Sequence, residues 1–225
     1  MSETRISIIV PCLNEAEFIS AALETTTLAG GRAEVIVVDG GSSDGTLEIV
    51  RQSSAQLIQC PVRSRAAQMN LGAQQAKGDI LLFLHADTLL PDGFEEEVLQ
   101  ACSDEHVVGG AFYLRFDHGH WMFGVMSALT RLNIKWITVG DHAMFFTRKV
   151  FDDLGGYPEI PLLEDLELQL RARRRGKMVR VQTPVTTSAR RFLRNGVLRQ
   201  MMKDACILVS YYLGRSPQQL AEVYD

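Results

Sequence analysis

Short apolar runs alternate with segments of helical periodicity along most of this chain. Arg5-Ile-Ser-Ile-Ile-Val10 is a β-branched run stopped by Pro11, which predicts a first strand. Asn14-Glu-Ala-Glu17 has the spacing of a helix N-cap with an acid at the third helical position. Phe18, Ile19, Ala22 and Leu23 carry the helical period on towards Gly30-Gly31. Glu34-Val-Ile-Val-Val38 predicts a second strand, Asp39-Gly-Gly-Ser-Ser-Asp-Gly45 a turn, and Thr46 to Gln52 a second helix. Gln56-Leu-Ile-Gln-Cys60 is a weaker strand, Arg65 to Lys77 a helix ended by Gly78, and Ile80 to Leu84 a strand apolar at every position. Asp92 to Ala101 reads as helix, and Val107 to Phe116 as strand, with alternation at Ala111, Tyr113 and Arg115. Ala143 to Thr147 and Met178 to Gln182 read as short strands. Lys149 to Leu154 and the segment from Glu164 to near Gly176 read as helices, with the loop Gly155-Gly-Tyr-Pro-Glu-Ile-Pro161 between them. Strand and helix alternating with short connections imply an α/β fold with a mostly parallel sheet covered by helices. No repeat or linker interrupts the pattern, so one domain over 1–225 is expected, with a helical extension over 195–225.

Candidate chemistry falls at strand ends, where ligands bind in open α/β sheets. His85-Ala86-Asp87 stands just past the run that ends at Leu84. Side chains two apart on an extended backbone share a face. An imidazole and a carboxylate so placed point to a divalent cation holding a phosphorylated ligand; a plain strand-end turn is the alternative, because both residues suit turns. Asp39, ending the second strand, suits hydrogen bonds from a ribose or a base, with Gly40-Gly41 leaving room for the ligand, or else it serves the turn as an Asx acceptor or N-cap. The turn after the first strand, Pro11-Cys-Leu-Asn-Glu15, lacks GxGxxG, and no GxxxxGK[ST] loop occurs. That excludes a dinucleotide-binding Rossmann site and a P-loop.

Composition adds bounds. A net charge of −4 over 225 residues argues against a dedicated nucleic-acid binder. The charge is segregated, however: Leu168 to Lys203 holds eleven Lys or Arg and no Asp or Glu. Such a block implies an anionic partner, with diphosphate, anionic lipid headgroups and RNA as candidates, or else a solvated helix face. Cys12, Cys60, Cys102 and Cys206 are isolated, as in core residues of a reducing compartment. The N-terminus has no signal-peptide pattern, and no apolar stretch reaches the roughly 18 residues of a membrane span. A cytoplasmic protein is therefore expected.

Four segments in this order resemble the family 2 glycosyltransferases. They are Ser7-Ile-Ile-Val-Pro-Cys-Leu-Asn-Glu15, Val35-Ile-Val-Val-Asp-Gly-Gly-Ser-Ser-Asp-Gly-Thr46, Gly78-Asp-Ile-Leu-Leu-Phe-Leu-His-Ala-Asp-Thr88 and Leu163-Glu-Asp-Leu-Glu-Leu168. The Phe-Leu-His-Ala-Asp-Thr form and Arg65-Ala-Ala-Gln-Met-Asn-Leu-Gly72 look like a small bacterial branch of that family. The resemblance implies the GT-A fold, a nucleotide-sugar donor and a divalent cation, Mn²⁺ or Mg²⁺. It implies a nucleotide pocket lined by Pro11, Asn14, Glu15, Asp39, Gly41 and Arg65, with Asp39 reaching the base or ribose. Asp87 matches the metal-binding aspartate of the DxD motif, and His85 stands where the motif has its first aspartate. Asp165, beside Glu164, matches the catalytic base of inverting members. Gly140-Asp141 falls near the acceptor side. Where the family often has Ala-Arg-Asn-x-Gly, this chain has Gln68-Met-Asn-Leu-Gly72, with Arg63 and Arg65 as nearby cations.

The chemistry is coherent without the family. Glycosyl transfer expels a nucleoside diphosphate, which a divalent cation neutralises, and the acceptor hydroxyl needs a base. Asp165 in the first turn of a helix is favoured as the carboxylate by the helix dipole. The plainer alternative is that Glu164 and Asp165 only favour helix initiation. Two other functions stay open: a sugar-phosphate nucleotidyltransferase, whose first loop would be glycine-rich and basic, and a non-catalytic nucleotide-sugar binding protein. His118 and His120 are expected to be loop residues rather than ligands, and Trp121, Met122, Phe123, Val125 and Met126 to be core or acceptor-site wall. Val197, Leu198, Met201, Met202, Ala205, Leu208, Val209, Tyr212 and Leu213 form an apolar stripe at helical spacing, flanked by Arg190, Arg191, Arg194, Arg199 and Lys203. Packing on the domain or on a second copy as a homodimer is expected for it; the alternative is peripheral contact with the inner face of a membrane carrying a lipid-linked acceptor.

Overall fold

The computed structural model describes residues 5–27, 33–133 and 142–224. Eight strands form one sheet: β1 (Ile6–Cys12), β2 (Ala33–Asp39), β3 (Gln56–Gln59), β4 (Ile80–Phe83), β5 (Thr88–Leu89), β6 (Val107–Phe116), β7 (Met144–Thr147) and β8 (Lys177–Thr187). Their order is β3-β2-β1-β4-β7-β6-β8-β5. The β1–β2, β2–β3, β1–β4 and β6–β8 pairs are parallel, and β4–β7, β6–β7 and β5–β8 are antiparallel. The sheet is thus mixed but mostly parallel, with β7 as the antiparallel insertion.

The helices are α1 (Ile19–Thr27), α2 (Thr46–Arg51), α3 (Arg65–Gln75), α4 (Phe94–Ala101), α5 (Trp121–Thr130), α6 (Arg148–Asp153), α7 (Glu164–Ala172), α8 (Arg190–Asn195), α9 (Val197–Tyr212) and α10 (Pro217–Tyr224). Alternate residues of β1 face opposite cores. Ile6, Ile8 and Val10 pack with Leu23 of α1, Phe94 of α4, Phe123 of α5 and Phe192 of α8. Ile9 packs on the other side with Met69 of α3, Phe151 of α6 and Leu168 of α7. Burial on both faces explains why β4 reads as an unbroken apolar run and β1 as one interrupted only by the buried Ser7. A smaller cluster of Leu163, Leu166, Ile207 and Leu220 joins α7 to α9 and α10.

Three sequence expectations need correction. Asn14 does not cap α1: its φ is +56°, its side-chain oxygen accepts from Ser43 N at 2.9 Å, and the first helical turn opens from the Glu15 carbonyl. Contact with the neighbouring loop has replaced the local capping box. The last strand runs to Thr187 rather than Gln182. Its register with β6 slips between Ala111 and Tyr113, just before Pro184, and an irregularity is where a strand tolerates a residue with no N–H to donate. The apolar stretch from Trp121 is a helix that buries only Phe123 fully.

Candidate active site

The site begins where β1 and β2 end side by side. The loops beyond them are laced together: Asn14 N donates to Ser42 Oγ at 2.9 Å, Glu15 N to Thr46 Oγ1 at 2.9 Å and Ala16 N to Asp44 Oδ2 at 3.1 Å. Asp39 is fully buried, and its carboxylate accepts from Gly41 N at 2.9 Å and Ser42 N at 3.1 Å, the Asx-turn role. Gly41 takes φ +93°, a conformation that only glycine adopts freely. Burial first, then the Asp39 charge beside it, pushes the Cys12 thiol up to about 12, so this sulfur stays protonated and unreactive.

Helix α3 ties these strand ends to the loop before α7. The buried Gln68 donates through Nε2 to Cys12 O at 2.8 Å and to Val38 O at 2.7 Å, satisfying carbonyls that end two parallel strands. Asn70 clamps the loop before α7 twice, donating to Tyr157 O at 2.9 Å and accepting from Tyr157 N at 2.8 Å. At Gly72 a Cβ would lie 2.5 Å from Ile9 Cγ2, so only glycine allows this close approach of α3 to the sheet. The segment Gln68-Met-Asn-Leu-Gly72 is therefore a clamp, a role the sequence did not disclose.

A cavity of about 390 Å³ opens above these strand ends. Pro11, Cys12, Leu13 and Glu15 line one wall, His85, Ala86 and Asp87 another, Arg63, Arg65 and Gln68 a third, and Ser188, Arg190, Arg191 and Phe192 the last. The C-terminal arginines arrive by strand pairing. β5 follows Asp87 directly and pairs antiparallel with the end of β8, Thr88 Oγ1 lies 3.1 Å from Thr187 Oγ1, and Ser188 N donates to Asp87 O at 3.2 Å. Arg190 then spans the cavity, with Nη2 2.6 Å from Glu15 Oε1 and 3.1 Å from Asp87 Oδ2, and its guanidinium 4.3 Å from the centre of the Phe18 ring. Burial lowers the Arg190 pKa, but the Glu15 hydrogen bond and the Asp87 and Glu15 charges outweigh it and raise it overall. The other Glu15 oxygen, Oε2, is buried without a hydrogen-bond partner.

Asp165 and Glu164 are buried in the first turn of α7. They follow Leu163 at φ +65°, one of three non-glycine residues with positive φ among the described residues. Backbone held in this region clusters at functional sites. Tyr157 is buried beside them. Desolvation, then the charges of Asp165 and Glu164, hold its hydroxyl pKa well above the usual value. The phenol therefore keeps its proton next to Asp165. Asp165 is not itself on the cavity wall. Arg65, which is on the wall, reaches Glu164 Oε1 at 3.8 Å and joins the two regions.

Pro11, Glu15, Arg65, His85 and Asp87 thus meet at one cavity. Asn14, Asp39 and Gly41 build the loops at its base, and Gly140 and Asp141 lie outside the described residues. Their neighbour His142 is buried elsewhere, with Nδ1 3.0 Å from Phe112 O. His120 caps α5 by accepting from Met122 N at 3.3 Å. Among the described residues no three His, Cys, Asp or Glu side chains form a metal cage. His85 and Asp87 are still a fitting donor pair for Mg²⁺ or Mn²⁺, because such ions with nucleotides take one or two protein ligands and complete their shell with phosphate and water. No helix among the described residues is long and apolar enough to cross a membrane.

The sequence profile of glycosyl transferase family 2 matches residues 7–155. The chain belongs to this family. Its relatives include the glycosyltransferase AglE of Haloferax volcanii, 31% identical over 68% of this chain and 56% of that protein. A PGL/p-HBAD biosynthesis glycosyltransferase of Mycobacterium bovis is 32% identical over 70% of this chain and 64% of that one. The chain spans less than two thirds of either relative's length. Among solved structures, Staphylococcus aureus TarS in complex with UDP-GlcNAc superposes with TM-score 0.69 at 18% identity, over 82% of this chain and 58% of that one. The mannosyltransferase PcManGT of Pyrobaculum calidifontis in complex with GDP-Man and Mn²⁺ gives 0.68 at 20% identity, over 99% of this chain and 74% of that one. The family fold is GT-A, as the motifs implied.

Proposed function

We propose that this chain transfers a sugar from a nucleoside-diphosphate donor to an acceptor hydroxyl, with inversion and with help from a divalent cation, and that 1–225 works as one glycosyltransferase domain. The observation that carries the reading is a cavity at the ends of β1 and β4 where His85 and Asp87 face four arginines, with the buried Glu164–Asp165 pair adjoining through the Arg65–Glu164 contact. The two solved relatives hold UDP-GlcNAc and GDP-Man with Mn²⁺, which supports a nucleotide-sugar donor here.

In the reaction the acceptor oxygen bonds to the anomeric carbon while the bond from that carbon to the diphosphate oxygen breaks. The electron pair leaves with the nucleoside diphosphate, and the acceptor proton passes to Asp165. Arg63, Arg65, Arg190 and Arg191 supply fixed positive charge where the diphosphate gains negative charge. His85 and Asp87 would hold the cation, which neutralises the leaving diphosphate as a Lewis acid. Arg190 must first exchange its carboxylate partners for phosphate oxygens. Tyr157, kept protonated by burial and by the neighbouring carboxylates, adds no charge beside Asp165.

Nucleoside diphosphate release should be measured over a panel of UDP- and GDP-sugars. Turnover of at least one donor is expected, with Asp165→Asn lowering it about 10²-fold or more while diphosphate binding survives. Full turnover in that variant would remove Asp165 from the mechanism. A pyrophosphate product from a sugar phosphate and a nucleoside triphosphate would instead favour the nucleotidyltransferase.

A further inference from the structure

We propose that the outward faces of α5, α8 and α9 form one docking surface for an anionic lipid bilayer, at the mouth of the donor cavity. Helix α5 carries no charged residue, and its solvent side is apolar: Trp121, Val125 and Leu129 recur every fourth position, and Trp121 is 73% exposed. Helix α9 is turned the same way. Leu198, Met202, Val209 and Leu213 point outward, with Leu198 62% and Leu213 81% exposed. Its inner side is mixed: Gln200 and Ile207 are buried, Asp204 pairs with Arg191 at 3.1 Å, and Tyr211 hydrogen-bonds Glu167 of α7. The stripe is therefore split: Val197, Met201 and Leu208 pack on the domain, as expected, while Leu198, Met202, Val209 and Leu213 stay exposed. So many large apolar side chains left exposed on one helix mark an interaction surface rather than a solvated face.

The helices that carry these faces are neighbours. Phe123 of α5 and Phe192 of α8 meet with ring centres 5.7 Å apart, and Leu193, the next residue along α8, is exposed. Phe192 also lines the donor cavity beside Arg190 and Arg191.

The charge around the patch selects the occupant. Apart from the cavity residues Arg190 and Arg191, the chain from Phe192 to Arg215 carries Arg194, Arg199, Lys203 and Arg215 and a single acid, Asp204, whose carboxylate is engaged by Arg191 and Gln200. The whole chain has a net charge of −4. A two-fold contact between copies would set this basic face against itself, which costs energy through like-charge repulsion. An anionic headgroup layer complements it, with the apolar rows entering the acyl boundary and an exposed Trp at the interface. Resting on the glycosyl-transfer reading, the corollary is that the acceptor is presented by a lipid.

The test is co-sedimentation of the full chain with phosphatidylcholine vesicles, with and without phosphatidylglycerol, at low and high salt. Binding only to the anionic vesicles, weakened by salt, is expected. The surface variant Trp121→Ser/Leu198→Ser/Met202→Ser should lose it more than tenfold while keeping its circular dichroism and its calorimetric affinity for nucleoside diphosphate. Absence of binding at low salt would overturn the proposal, as would a concentration-dependent dimer that this variant dissociates. Retained diphosphate affinity in either case would leave the donor-site reading intact, so the two failures are distinguishable.

Discussion

Arg190 bridges two walls of the cavity. It answers two carboxylates at once, Glu15 and Asp87, and a guanidinium suits such bridging because its donors are fixed in a fork. Arg190→Ala should raise donor KM about tenfold or more, the loss expected for a charge-assisted hydrogen bond, with a smaller change in kcat. An unchanged KM would place the diphosphate on Arg63 and Arg65 instead. At the proposed metal pair, Asp87→Ala should abolish any gain in nucleoside diphosphate affinity from Mn²⁺, and His85→Ala should reduce it less, because a carboxylate brings charge as well as a donor atom. Titration calorimetry with and without the ion reads both. These residues were legible in the sequence because their spacing at a strand end is local. Arg190 was legible only as part of a basic block. Its partners are 175 and about 100 positions away, and only the pairing of β5 with β8 brings them together.

At the scale of the element, α3 decides whether the two halves of the site stay in register. Its Gln68 holds the ends of β1 and β2, while Asn70, two residues on, holds the loop that leads to Asp165. Asn70→Ala removes both hydrogen bonds to Tyr157 and should cost about 1–3 kcal/mol, which thermal melting would register as a Tm several degrees lower. Turnover should fall with it while donor KM changes little, because the loop belongs to the catalytic side. A variant with unaltered kcat would show that the clamp serves stability alone. Sequence periodicity located α3 but not its function, since a Gln and an Asn facing inward look like polar positions of a surface helix. The same limit hid the orientation of α9. Its stripe was visible, but which side meets the protein depends on what α7 offers, and Glu167 and Leu166 draw Tyr211 and Ile207 inward.

For the molecule as a whole, alternating strands and helices disclosed the α/β class, and β1, β2 and β4 fell within a residue or two of their expected bounds. Those strands are largely buried, so their sequences are rich in β-branched and aliphatic residues and leave little ambiguity. The antiparallel insertion of β7 and the pairing of β8 with β5 were not legible, because strand order depends on contacts between segments rather than on composition. The central claim is that the joined ends of β1 and β4 seat a nucleoside diphosphate. Isothermal titration of the wild-type chain with UDP and with GDP, in Mn²⁺ and in chelator, tests it most directly. The account predicts saturable one-to-one binding of at least one of the two in Mn²⁺, weakened about tenfold or more by chelator, as the Lewis-acid role requires. No binding of either nucleotide in any condition would contradict it.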